Sequence, residues 1–164
     1  MIIRRLAVLS LALLFVAGCN RSKTYSTPEG SVTVHDSGKA GQSAVTFTGK
    51  NGEKMTIDSE GTKLPDDYPK DVPVASGAKI VMATSVDEKT GHSSHLVLES
   101  TDSLDHVLAF YKKGLADNGW KINTTISQPQ VTIIAAEKDT RELSLSIQQS
   151  DGKCTVTQSV AAKN

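Results

Sequence analysis

The chain has 164 residues with 18 basic and 18 acidic side chains, a length that suits one domain or one domain plus a small module. Balanced charge removes the basic surplus that nucleic-acid binding needs, and 38% apolar with 22% charged residues argues against wholesale disorder. Aromatic residues are only 4%, which leaves few platforms for stacking bases or sugars.

The first eighteen residues differ from the rest. Arg4 and Arg5 form a short positive region, and Leu6 to Ala17 is an apolar run broken only by Ser10. That run fits the apolar core of a signal peptide and is too short for the roughly 20 residues of a membrane span. It ends in Val16-Ala17-Gly18-Cys19, which resembles a bacterial lipobox. The resemblance implies a lipoprotein, cleaved between Gly18 and Cys19 and acylated on Cys19. Removing 18 residues from 164 leaves 146, and losing Arg4 and Arg5 leaves 16 basic against 18 acidic groups, a formal charge of −2. Two or more acyl chains, such as palmitate, anchor a protein stably to a bilayer without spanning it. Asn20, where Asp would retain a Gram-negative lipoprotein at the inner membrane, points to the outer membrane facing the periplasm if the source is Gram-negative. Cys154 is then left without an intramolecular partner, so no disulfide framework is expected.

Residues 19–30 read as the lipidated cysteine and a polar tether of roughly 18 Å r.m.s. span. Residues 31–61 hold three short alternating segments around Val32 and Val34, Val45 and Phe47, and Met55 and Ile57, the period of half-buried strands. Asn51-Gly52 marks a hairpin between the last two, and Ser37–Gly41 reads as a looser turn before them. This small β meander is too small to be stable alone. Residues 62–77 form a connector in which Pro65, Pro69 and Pro73 exclude helix and central strand.

Residues 78–160 carry the main pattern, with residues 161–164 as a tail. Two strands precede a helix that starts near Thr101-Asp102-Ser103, capped by Asp102 or Ser103. Leu104, Val107, Leu108, Tyr111 and Leu115 form one apolar stripe, and Asn118-Gly119 ends the helix. Four alternating strands follow. The expected fold is α+β: an antiparallel sheet of about six strands with one helix packed on a face, in the order β-β-α-β-β-β-β, preceded by the meander. The run Phe110-Tyr111, Leu115, Gly119-Trp120 resembles a helix-to-strand motif, F-Y-x3-L-x3-G-W, of many bacterial envelope proteins. It covers roughly Asp71 to Val160, bears on fold, and supplies no catalytic residues.

Chemical motifs are sparse. His92 and His95 are the only histidines close in sequence and are weak metal candidates, because a tight site needs three or four ligands and no cysteine or nearby carboxylate pair completes it, although Asp87 and Glu88 lie across the turn; no metal and no cofactor is expected. Asp102 and His106 lie one helical turn apart, but neither a G-x-S-x-G elbow nor a phosphate loop accompanies them. Phe110 and Gly114 sit off the stripe on one flank and form the candidate partner surface. The sequence therefore reads as a non-enzymatic, membrane-anchored envelope lipoprotein of binding or scaffolding type. Membrane lipid is its partner through acylated Cys19, another envelope protein is a further candidate, and nucleic acid is not. A small-ligand carrier, or a hydrolase assembled only in the fold, are the competing readings. Cys19→Ala should abolish incorporation of labelled fatty acid and leave uncleaved precursor; label entering that variant would contradict the lipobox.

Overall fold

Alternation of apolar residues with Ser and Thr runs through nearly all of the chain, and it builds strands wherever it runs. The computed structural model describes residues 22–36, 43–59 and 63–163; Gly18, Cys19 and the Ser37–Gly41 turn lie outside them. The strands are β1 (Ser22–Thr27), β2 (Gly30–Asp36), β3 (Ser43–Gly49), β4 (Lys54–Ser59), β5 (Lys79–Glu88) and β6 (Gly91–Ser100). Helix α1 (Leu104–Asp117) follows, then β7 (Lys121–Gln128), β8 (Val131–Lys138), β9 (Arg141–Ser150) and β10 (Lys153–Lys163). All strands form one antiparallel sheet in the order β1-β2-β3-β4-β5-β6-β10-β9-β8-β7.

The sheet has ten strands, not about six, and the segment expected as a separate meander is its continuation. β4 pairs with β5 from Lys54 opposite Asp87 to Ser59 opposite Met82. This pairing satisfies what would otherwise be an open edge of backbone donors and acceptors. Within the expected tether, Ser22–Thr27 is itself the edge strand β1, paired with β2.

Helix α1 carries the chain from β6 to the far edge. Four strand spacings separate β6 from β7, about 19 Å, and fourteen helical residues rise about 21 Å. The helix starts with Ser103 as its cap and ends with Gly119 at φ 76°. There the Trp120 amide donates to Leu115 O at 2.9 Å and the Gly119 amide to Ala116 O at 3.0 Å, a Schellman closure that turns the chain back under the helix.

The core lies between one face of β5, β6 and β8–β10 and a cover made of α1 and the connector. Val107, Tyr111 and Leu115 point down from the helix onto Leu96, Leu98, Ile134, Leu145, Ile147 and Val156, all fully or almost fully buried. The connector also belongs to this core: Tyr68, Val72 and Ala75 are buried in it. Three tight turns fold it, closed by amide bonds from Tyr68 to Pro65, Val72 to Pro69 and Ala78 to Ala75.

Candidate functional site

Two polar clusters hold the connector as a strap. The first centres on Gln158, fully buried on β10. The Tyr68 hydroxyl donates to its Oε1, and its Nε2 donates to the Tyr111 hydroxyl at 2.6 Å and to Pro73 O at 3.2 Å. Burial pushes the Tyr111 phenol up to about 12 and raises Tyr68 as well, so both stay neutral donors and acceptors.

The second cluster centres on Asp71. Arg141 grips its carboxylate with two parallel bonds of 2.7 and 2.6 Å, and Lys138 Nζ reaches the same group at 2.6 Å. Lys138 also donates to Asn118 O at the helix end. The Trp120 indole donates to Asp71 O at 2.9 Å, and the Arg141 guanidinium lies over the Trp120 ring at 5.0 Å. The strap, the end of α1 and the β8–β9 turn therefore meet at one carboxylate.

Gly114 completes the strap. A Cβ there would stand 2.9 Å from Pro73 Cβ, so the glycine is what allows the strap to cross the helix so closely. Phe110 beside it is 37% exposed and sets its ring edge-on to Tyr111, centroids 5.2 Å apart.

His92 and His95 do not converge. An odd spacing along a strand places them on opposite faces of β6, His95 exposed and His92 half-buried toward the strap. His92 instead meets Asp87 at 2.7 Å and Ser94 Oγ at 2.9 Å, with Asp67 of the strap 3.9 Å away. Asp67, Asp87 and His92 present ligand atoms within 4.8 Å of one another, a juxtaposition that sequence spacing hides because Asp67 is distant in the chain. Hydrogen bonds already engage all three, since Ser85 Oγ also donates to Asp67. Asp102 and His106 stand 3.7 Å apart on the exposed start of α1. Cys154 is buried, and burial raises its thiol.

Hollows of about 380 and 420 Å³ lie along the strap, one beside Lys54, Thr56 and Ser85 and one beside Tyr68 and Val72, and the opposite face of the sheet carries a further set of exposed features. Its polarity inverts along the strand order. One cross-strand row on this open face runs Tyr25, Val32, Phe47, Met55, Val86 and then Ser93, Ala161, Glu142, Glu137. The adjacent row on the covered face runs Thr24, Thr33, Thr46, Thr56, Ser85, Ser94 and then Val160, Leu143, Ala136. In these two rows the apolar side changes face near the β5–β6 pair, while at the far edge Ile126 and Ile133 pair on the open face and are exposed. On the open face of β8–β10, the short side chains of Ala135, Ser144, Ser159 and Ala161 floor a hollow of about 370 Å³, with Asn123, Glu137 and Glu142 at its rim. Asn123 and Lys121 hold the Glu137 carboxyl below its ordinary range.

Residues 80–153, from β5 to the start of β10, match a family model described as START domain-like. No curated protein and no solved structure matches the chain. The match covers a little under half of the chain, and over that part the chain is similar to START-like domains. The described residues carry no clear catalytic apparatus. No helix among them is long and apolar enough to cross a membrane.

The Asp71 clasp has a pH signature. Arg141 first, and Lys138 with it, hold the Asp71 carboxyl well below the usual carboxylate range. A depressed folded-state pKa contributes stability that is present above the unfolded value near pH 4 and lost as pH falls below it. Asp71→Asn should therefore cost about 1–3 kcal/mol at neutral pH, and the gap from wild type should close as pH falls from 4 toward 2. Urea midpoints at several pH values measure this; a gap independent of pH would contradict it.

Proposed function

We propose that the chain is a non-enzymatic, lipid-anchored envelope protein that holds a small amphipathic ligand on the open face of its sheet. The START-like match over residues 80–153 carries this reading, and it favours a ligand carrier over a protein scaffold. The side chains inside the matched region support that face, since the hollows along the strap are lined mostly by residues that precede the match. Between helix and sheet, Tyr111, Leu96, Leu98, Leu115 and Ile147 are fully buried against one another, a solid interior with no room for a guest. The open-face hollow has the size of a small-ligand site. Its floor is small and flat enough for an alkyl or ring face, and its polar rim would take the ligand's polar end. Acylation of Cys19 would keep this face at the surface of a membrane, in the periplasm if the source is Gram-negative.

The reading is tested with an environment-sensitive fluorescent fatty acid as probe and the full chain as receptor. Ser144 is exposed on β9, so Ser144→Trp fills the hollow without disturbing the core. Wild type should bind the probe and Ser144→Trp should lose that binding. No binding by wild type, or undiminished binding by the variant, would refute the reading.

A further inference from the structure

The inverted polarity of β1–β4 leaves an apolar surface that the hollow does not use. Tyr25, Val32, Phe47, Met55 and Val86 form one row across five strands, about 19 Å long. Val34, Val45 and Ile57 form the row beside it, and Met82 adjoins them across the β4–β5 seam. Tyr25 is 56% exposed, Phe47 43%, Met82 40% and Met55 37%. An apolar face of this extent marks an interaction surface. On the reverse side, the same strands carry threonines that satisfy one another, Thr24 with Thr33 at 2.9 Å and Thr46 with Thr56 at 3.2 Å. The four strands are therefore an amphipathic sheet, apolar on one side and hydrogen-bonded toward water on the other.

The chain itself indicates what covers the apolar side. β1 begins at Ser22, three residues after Cys19. Three extended residues reach at most about 11 Å, so an acyl chain on Cys19 places the β1 edge within about a headgroup layer of the bilayer core. We infer that the open face of β1–β4 lies on the membrane surface as a second, non-covalent attachment, with Phe47, Met55 and Tyr25 inserted at the level of the headgroups. Tyrosine suits that depth because its ring is apolar and its hydroxyl polar. Lys23, in the second row at the sheet edge, can bury its stem and keep its ammonium among the phosphates. An amphipathic helix gains affinity in the same way, from apolar area on one face and polar groups on the other. The hollow on β8–β10 shares this face, so the attachment would also turn the ligand site toward lipid. The inference rests on the lipid-anchored reading above and is independent of the ligand itself.

The test uses the full chain, processed and acylated, in vesicles of phosphatidylethanolamine and phosphatidylglycerol. Trp120 is the only tryptophan and is buried, which gives a constant background. Phe47→Trp and Thr48→Trp place a second indole on opposite faces of β3, both at exposed positions. Phospholipid brominated high on its acyl chains should quench most of the added emission of Phe47→Trp and leave that of Thr48→Trp. Labelled fatty acid on Cys19 is read in the same samples. With label present, no quenching of Phe47→Trp, equal quenching of both variants, or burial of Phe47→Trp through self-association without vesicles would overturn the inference and leave the anchored reading intact. Absence of label overturns both. The Ser144→Trp probe experiment reports on the ligand reading separately.

Discussion

The Asp71 carboxylate holds the architecture together. It joins a segment with no regular structure to the end of the only helix among the described residues and to the β8–β9 turn, through Arg141, Lys138 and the Trp120 indole. Charge-assisted bonds in a bidentate geometry are the strong kind. Here they act on a strap whose prolines lack the donors to bond along a sheet edge. Gln158 fixes the same strap from beneath, with every bonding group in that buried cluster satisfied.

Because strap and helix together cover one face of β5–β10, that face forms the interior and the opposite one stays exposed. Alternation within a strand makes this division unavoidable, since each residue belongs to one face or the other. The unusual element is the change of side. In β5–β10 the buried apolar residues face the helix, with Met82, Val86, Ile126 and Ile133 on the open face; in β1–β4 the apolar residues lie on the open face and threonines take the other. One continuous hydrogen-bonded sheet thus carries a globular core at one end and an amphipathic layer at the other. The core explains stability, and the open face bears both the apolar layer of β1–β4 and, at the other end of the sheet, the hollow on β8–β10.

Much of the C-terminal half was legible in the sequence because its signals are local. The stripe Val107, Tyr111, Leu115 and the Gly119 turn follow from helical period and one left-handed residue. β1 was missed because Ser-Lys-Thr-Tyr-Ser-Thr holds a single apolar side chain, and its strand character comes from pairing with β2. The joining of β4 to β5 was missed for a similar reason: register between strands separated by a proline-rich segment is not written in any turn. The strap's part in the core was hidden by its prolines, although Leu64, Tyr68, Val72 and Val74 stand out as apolar among its charged residues. Gly114 in mid-helix was the clearest local sign of a close approach, and the approaching element is Pro73 of the same chain. The facing of His92 and His95 away from each other follows from strand geometry once β6 is known. The grouping of Asp67 with His92, and of Asp71 with Arg141, depends on contacts across the fold and has no local trace.

The central claim is that the helix face stays a closed core while the open face does the binding. Peptide-resolved amide hydrogen exchange of the full chain, with and without phospholipid vesicles, tests it most directly. The account predicts added protection within residues 22–36 and 43–59 on vesicles, with no change over the strap at 64–74 or over α1. Loss of protection in the strap and α1 when lipid is added, with β1–β4 unaffected, would mean that the helix face opens to the ligand, and would contradict the account.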